Sequence, residues 1–354
     1  MTDREKARTL LLEQCKRYPE LLPRDIFKFI YQSAYGCEHL AGSEEGALEY
    51  VKNEYATMRE CARPLVERLC GGYSRVGLGN LALGLSPLTL ARIFCLSAVR
   101  EEDGDARLHA MLETLVEMEN AGLLPFGKGE LDTALAEWRA AGYPPVRHSE
   151  RFRELYAPAY RVVSDKIVPF LPLLTELDKR LAKGRVILAV EGGSASGKTT
   201  LAALLEKIYD PTIFHADDFF LRPEQRTPER FAEPGGNLDR ERLREEVLTP
   251  LSRGERVTYR PFLCSSFTLG EPITVEPKRL TVVEGAYSMH PELERFYDLS
   301  AFIEVSPELQ RERIKKRNTP EHAERFFNEW IPLEKRYFDA MRVKERCNVR
   351  IMVT

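Results

Sequence analysis

The chain has 354 residues, of which 43% are hydrophobic and 30% are charged, and its formal net charge is −3 at pH 7. This length predicts about two domains, and the lack of a basic surplus argues against a nucleic-acid-binding protein. No apolar run approaches the ~18 residues that span a bilayer, and the charged N-terminus is unlike a signal peptide. The seven scattered cysteines indicate neither a zinc site nor a disulfide framework, so we expect reduced thiols in a cytoplasmic protein.

The first half of the chain, residues 1–183, has the pattern of an all-α domain. Apolar residues recur at helical spacing, for example over residues 108–118, and glycines and prolines separate the helical stretches. His39 and His148 lie in polar segments beside aromatic residues, and we expect a structural role for both. Three roles stay open for this domain: sensing a metabolite, shaping a substrate pocket, or mediating self-association.

From residue 184 onward, short apolar runs alternate with helical segments, which predicts a second domain over residues 184–354. The alternation indicates a parallel sheet covered by helices on both faces. Residues 267–275 predict a small hairpin set into this frame. The predicted strands are 186–190, 212–214, 280–283, 301–305 and 349–353, and the predicted helices are 198–209, 239–252, 306–317 and 321–342.

A glycine-rich segment joins the first of these strands to the first helix. It reads GGSASGKT and fits the pattern G-x-x-x-x-G-K-[ST] in full. Glycines allow the backbone to wrap around phosphate oxygens, and the helix N-terminus adds partial positive charge. We expect Lys198 to bridge the β- and γ-phosphates of ATP and Thr199 to bind Mg²⁺. The predicted nucleotide-binding residues are Gly192, Gly193, Ser194, Ala195, Ser196, Gly197, Lys198, Thr199 and Thr200.

Acidic residues follow two of the predicted strands, at the sheet edge where ligands bind in open α/β folds. Asp217 is positioned to accept the proton of an attacking hydroxyl group, whereas Asp218 has the pattern of a turn or helix cap. Glu284 ends the third strand and is expected to hold Mg²⁺ directly or through water. The alternatives are that Asp217 is also a cap and that Glu284 is an exposed strand-end acid.

Basic residues concentrate on the helix after the fourth strand, in the segment RERIKKR. Arg313 and Arg317 are four residues apart and therefore share one face of that helix. They are expected to stabilise charge on a phosphoryl group in transfer. The alternative is a solvated basic face.

Four segments in this order, GGSASGKTT, HADDFF, VVEGAY and ERIKKR, resemble the uridine kinase and phosphoribulokinase family of P-loop kinases. HADDFF is also similar to the matching segment of nicotinamide riboside kinases. The resemblance covers about residues 185–354. It implies a five-stranded parallel sheet, ATP with Mg²⁺, and transfer to a sugar-type hydroxyl. It also places the catalytic aspartate at Asp217, the metal acid at Glu284, and the lid arginines among Arg311, Arg313 and Arg317.

The acceptor side departs from that family. Uridine kinases carry an Asp-His-Pro-Asp-Ala segment, but residues 231–239 here read FAEPGGNLD. The family also has a histidine after a Tyr-Asp-Phe stretch, and residues 259–266, YRPFLCSS, contain none. These differences argue against uracil recognition. The remaining acceptor-site candidates are loop residues, which carry function disproportionately: Glu233, Asn237, Tyr259 and Arg260.

The sequence therefore predicts an α/β P-loop kinase domain preceded by an all-α domain. The predicted activity is transfer of the γ-phosphate of ATP to a hydroxyl group of a small metabolite of the nucleoside, sugar or sugar-acid type. Two alternatives stay open: a P-loop ATPase that acts as a nucleotide switch, and a regulatory module whose kinase half is inactive. The expected partner is a small-molecule acceptor, with no nucleic acid and no membrane, and self-association into a homo-oligomer stays open.

Overall fold

The computed structural model describes residues 2–40, 42–59, 64–99, 102–127 and 129–353. The chain divides into two compact units, Met1–Leu171 and Pro172–Thr354. The predicted boundary at 182–184 lies one helix later than this division. The helix in question is held to the second unit, since the Tyr209 hydroxyl lies 3.0 Å from Asp178 Oδ1 on that helix.

Helices make up most of the first unit, as predicted, and their apolar faces meet in one core. Ser or Thr caps open several of them, and in α5 the cap is followed directly by proline, whose fixed φ suits a first helical turn. None of the described helices in either unit is long and apolar enough to cross a membrane. The helices of this unit are α1 (Asp3–Arg17), α2 (Pro23–Tyr35), α3 (Glu44–Ala56), α4 (Gly79–Ala82), α5 (Pro87–Ser97), α6 (Gly104–Asn120), α7 (Glu130–Ala140) and α8 (Glu150–Tyr156).

The first unit is not all-α, because it also contains a three-stranded antiparallel sheet. Its strands are β1 (Val66–Arg68), β2 (Tyr73–Gly77) and β3 (Tyr160–Ser164), with β2 in the middle. The sequence prediction missed this sheet for a physical reason. Every residue of β2 is buried and one of them is an arginine, so β2 lacks an alternating or purely apolar pattern. Its partner β3 comes from a distant part of the chain.

His148 is a buried structural residue of this unit. Its Nδ1 lies 3.0 Å from Asp25 Oδ1 and its Nε2 lies 2.7 Å from the Tyr160 hydroxyl. The ring stacks on Phe152 with 4.2 Å between ring centroids. Burial lowers the pKa of His148 to about 4, and the hydrogen bond to Asp25 opposes this shift only in part. The contacts suit a neutral imidazole that donates through Nδ1 and accepts at Nε2.

The second unit is built on a five-stranded parallel sheet, which confirms the predicted α/β fold. Residues of the three inner strands are mostly buried, so both faces of the sheet are covered. The strands are β4 (Val186–Gly192), β5 (Thr212–His215), β10 (Leu280–Glu284), β11 (Leu299–Val305) and β12 (Val349–Val353), in the spatial order β12-β11-β4-β10-β5.

Helices surround this sheet and fill the connections between its strands. Two of the predicted helices each contain a π-helical stretch, at Leu243–Leu248 and Phe326–Trp330. The helices are α9 (Leu171–Leu181), α10 (Lys198–Tyr209), α11 (Pro228–Ala232), α12 (Arg240–Arg242), α13 (Thr249–Arg253), α14 (Pro291–Glu294), α15 (Pro307–Arg317), α16 (Pro320–Arg325), α17 (Ile331–Ala340) and α18 (Val343–Arg346).

The predicted hairpin at residues 267–275 is only the returning arm of a longer one. Its outer ladder pairs β6 (Val257–Tyr259) with β9 (Ile273–Val275), and its inner ladder pairs β7 (Phe262–Leu263) with β8 (Thr268–Leu269). The outgoing arm was missed because Pro261 interrupts its strand pattern. The hairpin therefore extends over both arms, and β7 packs against the turn that follows β5.

We expect the first unit to lose stability as the pH falls from about 6.5 towards 4. In that range His148 is protonated in the unfolded chain but neutral in the folded chain. The free energy of unfolding therefore falls by about 1.4 kcal/mol for each unit by which the pH is lowered, near the middle of the range. Denaturant titrations from pH 7 to pH 4.5 measure this. A Trp330→Phe background leaves Trp138 as the fluorescent reporter of the first unit.

His148→Asn should flatten this pH dependence, whereas His109→Asn, a change at an exposed histidine of the same unit, should preserve it. An equally steep slope in the His148 variant would contradict the assignment.

Candidate active site

The glycine-rich loop lies between β4 and α10, where the sequence placed it. Gly197 has φ of +111° directly before the first turn of α10, a conformation that residues with a side chain rarely adopt. Lys198 Nζ lies 2.8 Å from the carbonyl oxygen of Gly192 and 3.0 Å from that of Gly193. The lysine ammonium group is therefore folded over the loop itself.

Two side chains of α15 hold the outer side of the loop. Gln310 Nε2 donates to the Ser194 carbonyl oxygen at 2.7 Å, and Arg313 Nη1 donates to the carbonyl oxygens of Ala195 and Ser196 at 3.2 Å each. In a trans peptide the carbonyl and the following N–H point in opposite directions. Carbonyls that face α15 therefore direct the N–H groups of Ala195 and Gly197 away from it, towards the interior of the loop.

The loop has the features that a bound polyphosphate requires. The Ser196 hydroxyl is buried and has no hydrogen-bond partner among the described residues, and such groups are normally paired. Together with the oriented N–H groups and the ammonium group of Lys198, it provides donors for phosphate oxygens. The residues present therefore fit the phosphates of a nucleotide such as ATP.

Thr199 and Glu284 come together at the carboxyl edge of the sheet. The Thr199 hydroxyl lies 3.4 Å from Glu284 Oε1, and His215 Nδ1 lies 2.7 Å from the same oxygen. Glu284 is paired in register with Val190 of β4 and with His215 of β5, which explains why these side chains meet. The hydrogen bond to Glu284 raises the pKa of His215. A hydroxyl and a carboxylate oxygen are ligands that suit Mg²⁺.

Asp217 lies on the 3₁₀ turn Ala216–Phe219 that follows β5. Its side chain is open to solvent, yet the surrounding protein desolvates the carboxylate and raises its pKa. The positive charge of Lys198 opposes this shift and the negative charge of Glu284 adds to it. Asp217, Lys198 and Glu284 therefore act on one another at the same edge of the sheet.

A close contact fixes the position of this turn. An added Cβ on Gly285 would lie 2.5 Å from the Cβ of Ala216, so no larger residue fits after Glu284 without moving the turn. Asp218 is held on the other side, where its Oδ2 accepts from the Tyr259 hydroxyl at 3.3 Å. Burial raises the pKa of both groups, that of Tyr259 to about 12.

The predicted arginines have three different environments. Arg313 reaches the loop, as described above. Arg311 stacks on Phe327, with Cζ 4.4 Å from the ring centroid. Arg317 is exposed and makes no hydrogen bond or ion pair within the described part of the chain. A role of Arg313 and Arg317 in phosphoryl transfer stays a prediction, and Arg313 has the contacts of a positioning residue.

The four acceptor candidates are also placed differently. Tyr259 is buried beside the Asp217–Asp218 turn and stacks on Phe219, with 5.4 Å between ring centroids. Glu233 forms an ion pair with Arg240, with 3.0 Å between the charged atoms. Arg260 Nε donates to the Gly270 carbonyl oxygen at 2.7 Å within the hairpin. Asn237 is half-buried, and the acceptor role of all four stays a prediction.

Two acids that sequence reasoning missed also contact the loop. Glu191 is fully buried and accepts from the N–H groups of Gly192 and Met289 and from the Tyr337 hydroxyl, at 2.9 to 3.1 Å. Burial raises the pKa of Glu191 to about 7. The feature of the sequence that could have indicated Glu191 was an acidic residue near the end of an otherwise apolar strand.

The second missed acid is Glu334 of α17. Its carboxylate accepts from the Ser194 N–H at 2.9 Å and from the Ser194 hydroxyl at 2.6 Å, and burial raises its pKa. The two residues are 140 positions apart, so no local pattern in the sequence indicated the contact. In this structure a carboxylate is therefore bound to an N–H group of the phosphate loop.

No protein-family model and no curated protein sequence matches the chain. Solved structures are similar to it over about half its length. A possible uridine kinase from Bacillus stearothermophilus has 22% sequence identity and a TM-score of 0.38, covering 50% of this chain and 99% of that one. A candidate fructose transport system kinase from Silicibacter sp. TM1040 has 21% identity and a TM-score of 0.40, covering 47% and 89%. Deoxyadenosine kinase from M. mycoides has 17% identity and a TM-score of 0.22, covering 47% and 89%.

The second unit has an α/β P-loop fold. This assignment depends on the parallel sheet, its strand order and the loop between β4 and α10.

Replacing Glu334 by glutamine should tighten nucleotide binding. The Glu334 carboxylate accepts from the Ser194 N–H group, which is a donor of the phosphate loop. Its negative charge also opposes the approach of a phosphate group. We expect the Kd for ATP-Mg²⁺, measured by calorimetric titration, to fall about 3- to 10-fold, equivalent to roughly 0.6–1.4 kcal/mol. Glu329→Gln, a change at an exposed acid of the preceding π-helical turn, is the matched control. An unchanged or higher Kd in the Glu334 variant would contradict the idea.

Proposed function

We propose that this chain is an ATP-dependent kinase that transfers the γ-phosphate to a hydroxyl group of a small metabolite. The observation that carries the proposal is that Asp217 lies within electrostatic range of both Lys198 and Glu284 at one edge of the sheet. At the same edge the Thr199 hydroxyl lies 3.4 Å from Glu284 Oε1. A phosphate loop alone occurs in many nucleotide-binding proteins. A carboxylate within electrostatic range of the loop lysine adds a group that suits transfer to a hydroxyl.

On the donor side, the loop N–H groups and Lys198 would bind the phosphates of ATP. Lys198 now contacts carbonyl oxygens of the loop, so its ammonium group lies at the loop that would bind the phosphates. Thr199 and Glu284 would hold Mg²⁺, which when bound neutralises phosphate charge. Arg313 and Gln310 would keep the loop in shape, because they hold its outward-facing carbonyl groups.

On the acceptor side, Asp217 would act as the general base. An acceptor hydroxyl oxygen forms a bond to the γ-phosphorus, the bond from that phosphorus to the β,γ-bridging oxygen breaks, and ADP leaves. The hydroxyl proton passes to the Asp217 carboxylate. A raised pKa makes the carboxylate a better proton acceptor. Asp218 and Tyr259 would support this role by fixing the turn that carries Asp217.

The chemistry around Asp217 favours a polar, hydroxylated acceptor. The β7–β8 hairpin brings Cys264 within electrostatic range of both Asp217 and Arg226. Arg226 lies over the ring of Phe267, with Cζ 4.7 Å from the centroid. A cation held on an aromatic surface suits an acceptor that carries negative charge or many oxygen atoms. Nucleosides, sugars and sugar acids are the proposed classes.

We further propose a small-molecule acceptor as the partner of this chain. Three further expectations stay predictions. They are that the chain binds neither nucleic acid nor membranes, that it acts in the cytoplasm, and that it self-associates. The solved structures named above are described as kinases, which agrees with the proposal.

The proposal is tested by incubating the full chain with ATP-Mg²⁺ and pools of nucleosides, sugars and sugar acids. Mass spectrometry should show one pool member that gains the mass of one phosphate, with one ADP formed per product. Lys198→Ala should lose both nucleotide affinity and product, since it removes the cation that contacts the phosphates. Hydrolysis of ATP that a protein partner stimulates, with no phosphorylated metabolite in any pool, would instead support the nucleotide switch.

Asp217→Asn should separate binding from transfer. The amide keeps the size of the side chain but cannot accept the proton, so we expect kcat to fall by ~10²- to 10⁴-fold. The Kd for ATP-Mg²⁺ should change by less than about threefold, because Asp217 is not a ligand of the loop. Asp218→Asn is the control, because its amide oxygen can still accept from the Tyr259 hydroxyl and hold the turn, so most of the activity should remain. Both variants are measured with the acceptor found above. Full turnover by the Asp217 variant would refute the assigned role.

A further inference from the structure

The first unit contains a pocket that the kinase chemistry does not use. It encloses about 470 Å³ of empty space, counting the part that opens to solvent. The walls relevant here are four aromatic residues, one acid and one arginine: Tyr18, Phe152, Tyr156, Tyr160, Glu67 and Arg75.

Arg75 is the central polar group of this pocket. It lies on β2 with only 2% of its surface exposed. Its Nε donates to Gln32 Oε1 and its Nη1 donates to Glu67 Oε2, both at 2.9 Å. Its Nη2 is buried and has no hydrogen-bond partner among the described residues. A buried donor without a partner is costly, by roughly 1–3 kcal/mol, so a group that accepts from Nη2 would stabilise this side chain.

Glu67 is fully engaged and cannot serve as the partner of a ligand cation. Its Oε1 accepts from Gln14 at 2.7 Å and from Arg17 at 2.9 Å, while its Oε2 accepts from Arg75. Two arginines therefore face one carboxylate, which leaves one positive charge in excess at this end of the pocket. The charge balance favours a ligand with a single negative charge.

The other walls are apolar. Tyr18, Phe152 and Tyr156 form a triangle of rings whose centroids are 4.9 to 5.0 Å apart. The Tyr160 ring lies against the Arg75 guanidinium, with 4.7 Å between Cζ and the ring centroid. Such walls suit an aromatic or short aliphatic body.

We propose that this pocket binds a small monocarboxylate whose body is a single ring or a short aliphatic chain. One carboxylate oxygen accepts from Arg75 Nη2, and the body contacts the Tyr18–Phe152–Tyr156 rings. One free donor and one excess positive charge match a carboxylate better than a phosphate dianion, which needs several donors. The site lies wholly within the first unit and does not depend on the proposed kinase activity.

The test uses the full chain and calorimetric titration with benzoate, phenylacetate, butyrate and inorganic phosphate. Benzyl alcohol, which lacks the charge of benzoate, is the matched neutral probe. We expect at least one of the carboxylates to bind at least 10-fold more tightly than benzyl alcohol and phosphate. Equal binding of the charged and neutral probes, preferential binding of phosphate, or no binding of any carboxylate would overturn the proposal.

Three variants, one of them a control, locate the binding. Tyr156→Ala removes a wall ring and should weaken carboxylate binding at least fivefold, whereas Leu155→Ala, a change at its exposed neighbour outside the pocket, should not. Arg75→Lys should abolish the preference for carboxylate over alcohol. If the Arg75 variant does not fold, the Tyr156 and Leu155 pair still decides the matter, since equal binding by these two variants would place the ligand elsewhere.

Discussion

The candidate active site depends on the register of three parallel strands. Strand β10 lies between β4 and β5, and the pairing places Glu284 beside both Val190 and His215. Strands that run in the same direction end at the same edge, so the loop after β4 and the turn after β5 meet the last residue of β10 there. A slip of one residue in β10 would turn Glu284 to the opposite face and separate it from Thr199.

The same edge explains why small residues are needed around the acids. Gly285 lies against Ala216, and a side chain at position 285 would displace the turn that carries Asp217. The loop itself is held from outside by Arg313 and Gln310, which bond its carbonyl groups. The loop is therefore held in shape through its backbone carbonyl groups.

Local signals in the sequence account for what could be predicted. The loop, the five strands and the order of the acids are short-range patterns, and each follows from spacing and burial. The three-stranded sheet of the first unit could not be predicted this way. Its central strand contains the buried Arg75, whose charge is tolerated only because Glu67 and Gln32 surround it in the fold. A polar residue that is buried against tertiary partners breaks the apolar pattern from which a strand is predicted.

Long-range contacts account for the missed site residues in the same way. Glu334 reaches Ser194 across 140 positions of sequence, and its own segment is an ordinary amphipathic helix. The surroundings of Asp217 are equally a product of tertiary packing, because the β7–β8 hairpin brings Cys264 within electrostatic range of Asp217 from a separate part of the chain. Hairpins and loops accept changes in length and composition more readily than a sheet edge. Under the proposed kinase activity, the hairpin is therefore where specificity for the acceptor would be changed.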